Sequence, residues 1–426
     1  MQPTDILKSG LAYIEQNLKT DITAEELAHM AGYSAAHYQH LFTQTVGMPV
    51  AAYIGKRRLD RALHEIAGGR RAVDAALEYG FDTYAGFYKA FVRAYGGSPR
   101  KILSERVSIM FTEKELRAIL ANWDVPQDIS IMDVYVMDGA KVSGNVWAVG
   151  EEYILKIGDR EKMLKNLDIA KALAAQGLAA ALPVPTKTGT EYLDAGKIMA
   201  LTRGIKGAPL AKADRFGDDR RAFGRRYGES IARLHRALAA IEPEIQPQEQ
   251  NLYAQVTEWA LPELKKQNEK FHMSLPDGFF EDYIHTFGTL AATLPRQLIH
   301  RDPHPSNILF DGGKVSGFID FDLSERDVRL WDPCYCATGM LSEWSGVDGI
   351  QGKWPETLAG ILQGYDSVNP LTVEEKQTIF YMLCSIQMIC IAYFENVDEY
   401  KELAQTNREM LRYIVEQKEQ INQIFG

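Results

Sequence analysis

At 426 residues, 46% hydrophobic and 24% charged, the chain has ample core material and the length of two or three globular domains. A disordered or fibrous chain is excluded. The net charge of −10 is uneven: residues 1–105 carry 12 Lys and Arg against 11 Asp and Glu, the remainder 35 against 46. A polyanionic partner therefore suits the first part better than the acidic second part, which would suit a cationic small molecule.

Met1 is followed by QPTDILKSG rather than the basic-then-apolar run of a secretory signal. Residues 5–18 place Ile6, Leu7, Leu11, Ile14 and Leu18 on one helical face. Thr23 opens a second helix, Ala24–Ala31, with a capping box in which its hydroxyl and Glu26 satisfy each other's orphan amides. That helix stops at Gly32, and Ser34 caps a third through Phe42 to about Val46. Helix, glycine turn and capped helix make a helix-turn-helix.

The pattern then recurs. Ala28-x3-Gly32-Tyr33 is echoed by Ala76-x3-Gly80-Phe81, Leu41-Phe42 by Ala90-Phe91, and the closing Val46-Gly47-Met48-Pro49 by Tyr95-Gly96-Gly97-Ser98-Pro99. Leu27, Phe42, Tyr53, Leu77 and Phe91 read as core. Between the copies lies an amphipathic helix, Val50–Ala67, about 27 Å long at 1.5 Å per residue. Successive major-groove faces on one side of B-DNA lie roughly 34 Å apart, so one chain could present two recognition helices to one duplex.

Residues 5–103 resemble the DNA-binding domain of the AraC/XylS family of transcription regulators, the second copy, GFDTYAGFYKAFVRAYGGSPRKI, most closely. The resemblance implies base-facing roles for Ala36, Gln39 and His40, and for Tyr84, Ala85, Tyr88 and Lys89. Gln39 could pair with an adenine edge and Lys89 could reach a guanine. Arg57, Arg58, Arg93, Arg100 and Lys101 are better placed for phosphates, which position without specifying.

Ser104–Phe111 has no strong break. Thr112 and Glu115 form another capping box, opening a helix to Trp123. Ile129–Met137, Asn145–Val149 and Tyr153–Ile157 read as antiparallel strands, with Ser143-Gly144-Asn145 on a hairpin between two of them. Lys156 in YILKIG matches a nucleotide-binding lysine on a third strand. Asp168, or Glu161, on the helix Glu161–Ala175 would supply its acidic partner. Gly204-Ile-Lys-Gly207 reads as a crossing between lobes, and the chain beyond is helical, with His235 packed on an apolar face.

Leu298–Asp322 holds His300-Arg301-Asp302, then Asn307, then a hairpin with its turn centred on Asp311-Gly312, then Ile319-Asp320. This order is how a protein-kinase-like fold sets a base and two metal ligands about a γ-phosphate. Asp302 would accept or orient the proton of an attacking hydroxyl, and Asn307 and Asp320 would hold Mg2+. Lys156, with Ser143, Gly144 and Asn145, would hold ATP or GTP. Residues 112–390 resemble the aminoglycoside phosphotransferase family and its choline and homoserine kinase relatives, through HRDPHPSN, IDFD and Arg329-Leu-Trp-Asp332-Pro. Asp322 stands where the kinase DFG motif has glycine, and Arg301 where these phosphotransferases commonly have glycine. With no G-x-x-x-x-G-K-[ST], a P-loop enzyme is excluded.

The C-terminal quarter reads as the helices Trp354–Gly364, Glu374–Phe394 and Tyr400–Phe425. Cys334, Cys336, Cys384 and Cys390 sit among apolar neighbours without a CxxC pair, as buried free thiols do. The longest apolar stretch, Tyr381–Phe394, is interrupted by Ser385 and Gln387 and too short to span a bilayer. Glu343, Asp348, Glu395 and Asp398 could attract a cationic substrate.

The expectation is a cytoplasmic, multidomain protein, monomeric or homodimeric and without membrane contact. Residues 1–105 form an all-α double helix-turn-helix domain. Residues 106–426 form an α+β protein-kinase-like domain with lobes at about 112–203 and 204–426. Its function is either a transcription regulator whose kinase-like part binds a small-molecule effector and ATP, or an active ATP-dependent kinase of an aminoglycoside, amino-alcohol or sugar hydroxyl attached to a DNA-binding domain.

Overall fold

The structure, a computed structural model, describes residues 3–46, 48–67, 70–81, 83–95, 111–135, 142–210, 215, 219–343, 351–396 and 400–425. The chain divides into two compact units, Met1–Gly150 and Glu151–Gly426.

The first unit opens with α1 (Pro3–Asn17), α2 (Ala24–Ala31), α3 (Ala35–Val46), α4 (Val50–Ala67), α5 (Ala72–Glu78) and α6 (Tyr84–Tyr95). The sequence repeat is a structural repeat. After α2, Gly32 adopts φ 71°, and the Tyr33 amide returns to the Ala28 carbonyl at 2.9 Å; after α5, Gly80 adopts φ 78° and the Phe81 amide returns to Ala76 at 3.1 Å. A left-handed residue is what lets each chain reverse onto the next helix, and glycine adopts it without Cβ strain. Ser34 and Thr83 cap the helices that follow, accepting from the His37 and Gly86 amides. Tyr38 and Phe42 on α3 and Phe87 and Phe91 on α6 bury the matching faces of the two copies in one core with Leu7, Ile14 and Leu27. Leu77, expected in this core, is instead 52% exposed; Ala75 and Ala76 take the buried face of the short helix α5.

Thr23 caps α2 as expected, but Glu26 accepts from the Tyr13 hydroxyl at 2.5 Å. Beyond lie α7 (Glu113–Leu120), whose capping box between Thr112 and Glu115 is complete, and the antiparallel strands β1 (Ile131–Tyr135) and β2 (Val142–Val149). Trp123, Trp147 and Val149 are buried here.

In the second unit, β3 (Tyr153–Gly158) is followed by α8 (Arg160–Ala175), then β4 (Leu193–Asp194) and β5 (Ile198–Arg203); β5 pairs antiparallel with both β3 and β4. The helical part comprises α9 (Arg220–Ile245), α10 (Leu261–Phe271), α11 (Trp331–Ser342), α12 (Trp354–Val368), α13 (Val373–Glu395) and α14 (Lys401–Glu416). Two small antiparallel ladders carry the loops that matter: β6 (Arg296–Ile299) with β9 (Glu325–Val328), and β7 (Ile308–Asp311) with β8 (Lys314–Phe318). The tight turn of the latter is at Gly312-Gly313, both with positive φ, one residue beyond the expected centre.

α9 and α12 cross backbone to backbone. A Cβ on Gly228 would lie 1.8 Å from the Ile361 carbonyl oxygen, and one on Gly364 would lie 2.3 Å from that of Arg225. Gly224 and Gly360 repeat the arrangement one turn away. Rigid carbonyls line this seam, so the contact has nowhere to relax. We expect Gly228→Leu to destabilise the second unit by about 3 kcal/mol or more, read as a lower urea midpoint.

α13 is longer than the apolar run in the sequence. It is long and apolar enough to cross a membrane by length and composition, yet 72% of its most apolar window is buried inside the fold. Cys334, Cys336 and Cys384 are buried free thiols, and Cys390 is half-buried.

Candidate functional sites

On the first unit, helix periodicity turns one set of residues to the core and leaves another to solvent. Ala36, Gln39 and His40 are exposed on α3, and Tyr84, Ala85, Tyr88, Lys89 and Arg93 on α6. Arg100 and Lys101 lie outside the described residues.

Two expected phosphate contacts are corrected. The Arg57 guanidinium grips both Glu15 carboxylate oxygens, one at 2.9 Å, and reaches Asp60 at 3.5 Å; its side chain is only 14% exposed. Arg58 donates to the carbonyls of Leu18 at 3.0 Å and Thr20 at 2.7 Å, and packs where a Gly80 side chain would be. Both cations point inward because α4 is the central packed element, not a free backbone tracker. We expect Arg58→Ala to cost about 1 kcal/mol of stability, chiefly from the part-buried Leu18 carbonyl left unpaired, without changing the salt slope of DNA binding. Arg93→Ala should reduce that slope.

In the second unit, the loop after β6 is fixed by one carboxylate. Asp332, at the start of α11 and fully buried, accepts from the His300 amide at 2.8 Å, the Arg301 amide at 2.9 Å and His235 Nε2 at 2.8 Å. Tyr365 closes the far side of His235 at 2.8 Å. Trp331 Nε1 holds the Arg301 carbonyl at 2.9 Å while Arg301 adopts φ 67°. His300 Nδ1 accepts from the Asp302 amide at 3.3 Å and Nε2 donates to Ile319 at 3.0 Å. Burial lowers its pKa, consistent with this neutral ring.

Asp302 is thereby presented beside Asn307, whose Nδ2 donates to the Asp302 carbonyl at 2.9 Å and carboxylate at 3.2 Å. Burial first, then the charge of Asp320, pushes Asp302 up to about 7; hydrogen bonds from Tyr335 and Asn307 pull the other way. Tyr335, on α11 and stacked on Trp331 at 5.8 Å, is a neighbour that sequence reading missed. It carries no motif, lying one helical turn beyond Trp331.

After the β7–β8 ladder, Asp320 adopts φ 68° and leads a short turn, Phe321–Leu323. Lys156 Nζ lies 2.8 Å from Asp320 Oδ1 and 2.8 Å from Asp322 Oδ2. Burial disfavours the Lys156 charge, but the two carboxylates outweigh it and raise its pKa. Partial burial would raise Asp320, yet Lys156 outweighs it and holds that carboxyl below its usual range.

The expected partner of Lys156 is corrected. Asp168 is 57% exposed and pairs with Lys171 at 3.1 Å, while Glu161 accepts from Gln248 at 3.3 Å. The reason is helical phase: Met163, Leu167 and Ala170 turn α8 to the core, which puts Asp168 on the outer side. Asn166 is the residue that reaches inward, donating to Asp322 Oδ1 at 2.7 Å. Ser143, Gly144 and Asn145 lie within β2 rather than on a hairpin turn, because the strand begins at Val142.

Glu343 and Glu395 do not make an acidic lure. Glu343 pairs with Arg215, and Glu395 with Lys270, Lys401 and Arg408; Asp348 and Asp398 lie outside the described residues.

Among the described residues no group of three or more His, Cys, Asp or Glu could hold a metal ion. The donors available to a cation are oxygens: Asn307 commits its amide hydrogens to Asp302, leaving Oδ1, and Asp320 is a half-exposed carboxylate. Two hard ligands completed by water and phosphate fit Mg2+, which seldom uses an all-protein cage.

Comparison with known proteins finds two family matches along the chain. The family described as a helix-turn-helix domain matches residues 27–105, and the phosphotransferase enzyme family matches residues 138–372. Over 97 residues the chain is 35% identical to the HTH-type transcriptional activator AarP of Providencia stuartii, covering 22% of this chain and 72% of AarP. Over 272 residues it is 26% identical to the homoserine kinase of Neisseria meningitidis serogroup B, covering 62% of this chain and 82% of that kinase. Amicoumacin kinase hAmiN, solved in complex with AMP-PNP, Ca2+ and Ami, shares the fold with a TM-score of 0.50 at 16% identity, over 72% of this chain and 95% of that one.

Proposed function

We propose that this chain, which belongs to the phosphotransferase enzyme family and carries an AraC-type helix-turn-helix domain ahead of its kinase-like domain, is a sequence-specific transcription regulator whose phosphotransferase-like part binds a small-molecule effector with ATP. We infer a domain boundary near residue 105, a reading supported by the end of the helix-turn-helix match there.

The observation that carries this reading is the pair of capped helices, α3 and α6, each with a buried aromatic face and an exposed face. Gln39, His40, Tyr84, Tyr88 and Lys89 would meet base edges, and Arg93 a phosphate. A DNase footprint or mobility-shift selection with the full chain tests it. A preferred site of two half-sites about one helical turn apart is expected; uniform affinity across sequences overturns it.

A second reading, active phosphotransfer, is favoured by the Asp302–Asn307 pair. Asp302 would orient the acceptor hydroxyl and take its proton, and Lys156 would steady the α- and β-phosphates. Asn307 Oδ1 and Asp320 would hold Mg2+, which when bound neutralises phosphate charge. The likeness to a homoserine kinase, and in fold to an amicoumacin kinase solved with AMP-PNP and Ca2+, supports a nucleotide, a divalent cation and a hydroxyl acceptor on an amine-bearing small molecule. ATP turnover over a panel of amino-alcohols, sugars and aminoglycosides tests this reading.

A further inference from the structure

α8 reaches the loop after Asp320 with two consecutive residues. Lys165 Nζ meets Glu325 at 2.6 Å, both side chains mostly buried, and Asn166 meets Asp322 at 2.7 Å. Asp322 thus divides its oxygens, Oδ1 to Asn166 and Oδ2 to Lys156. Buried Phe321, its ring 4.6 Å from that of His300, wedges the turn between Asp320 and Asp322, and both carboxylates meet the same ammonium.

We propose that Asn166 and Asp322 are positioning residues that hold Lys156 for the nucleotide, Asp322 supplying the carboxylate and Asn166 fixing its rotation. The inference rests on the nucleotide-binding reading above. Its physical ground is competition for Asp320. That carboxylate is wanted both by Lys156 and by a cation shared with Asn307. If Asp320 were the lysine's sole protein partner, its transfer to a cation would leave an ammonium whose side chain is only 17% exposed with no carboxylate to fix its position toward the phosphates. Asp322 gives Lys156 a second partner, so the lysine keeps its place when Asp320 turns away. A carboxylate free to rotate would surrender that geometry to side-chain entropy, and the 2.7 Å bond from a packed helix prevents it.

The test is titration calorimetry of Mg·ATP against the full chain, with unfolding midpoints measured in parallel. Asp322→Asn is expected to weaken binding about 10-fold, the equivalent of roughly 1.4 kcal/mol, and Asn166→Ala by a smaller factor in the same direction. The double variant N166D/D322N restores a hydrogen bond between the two side chains but leaves Lys156 an amide oxygen in place of the carboxylate. It should recover the unfolding midpoint and still bind no better than Asp322→Asn. A merely structural role would let affinity recover together with the midpoint in the double variant, and that result overturns the proposal. So do single variants that bind like the parent. If the unaltered chain binds no Mg·ATP, the nucleotide reading itself fails and this inference falls with it, an outcome distinct from a parent that binds and variants that match it.

Discussion

Asp302→Asn should reduce any phosphotransfer by about 10²- to 10⁴-fold, the range for removing a positioned general base, while making the protein more stable above neutrality. The two effects share one cause. The Asp302 carboxyl is pushed up to about 7 by burial and by Asp320, against an ordinary value near 3.8. Between these values the folded chain holds a proton that the unfolded chain has released. Stability therefore declines as pH rises from about 4 to about 7, and above that window the ionised carboxylate is a fixed cost. An asparagine carries no such charge, so the variant should gain on the order of 1–2 kcal/mol at pH 8 and little at pH 4, discounted because the group is only partly buried. In the parent, log(kcat/KM) should fall with decreasing pH below about 7, since only the carboxylate accepts a proton. Equal turnover in parent and variant across the acceptor panel would remove Asp302 from the chemistry. Lost activity with an unchanged pH dependence of the unfolding midpoint would remove the raised pKa.

Asp332→Ala is expected to destabilise the second unit by about 3–5 kcal/mol, the scale for breaking a buried charge network by deleting one partner. Three donors converge on this carboxylate: the amides of His300 and Arg301, and His235. With it removed, all three lose their acceptor, the His300 amide and His235 in fully buried surroundings, and the left-handed Arg301 loses a bond that offsets its backbone strain. Denaturant midpoints check the magnitude. Asp332→Asn is the informative companion. One amide oxygen can still accept from one or two of the donors, but its NH2 would then face an N–H, so the loss should be smaller yet still above about 1 kcal/mol. If both variants unfold like the parent, Asp332 does not hold the loop that presents Asp302.

These two residues also mark how far the sequence could be read. His300-Arg301-Asp302, Asn307 and Asp320 stand out because a short loop, a hairpin and a turn fix their spacing. Asp332 stands out in Arg329-Leu-Trp-Asp-Pro, but its three donors cannot be read from that string, since His235 lies 97 residues earlier. Tyr335 has no signal beyond its place on a helix.

The sequence by itself determined the two-part organisation, the duplicated helix-turn-helix with glycines at positions that require a left-handed turn, and the kinase-like order of motifs. Local rules suffice for these: capping, turn chemistry and periodicity act over a few residues. The fold family was legible for the same reason. The tertiary structure alone decided which charges are spent. Arg57 and Arg58 look like a basic stripe, but Glu15 and the carbonyls at the end of α1 lie some forty residues away in sequence and draw them inward. Lys156 looked for an acid on the next helix and found Asp320 and Asp322, more than 160 residues on. Helical phase decided that Asn166, not Asp168, faces them. Partner choice among charges depends on which groups folding brings within 3 Å and removes from water.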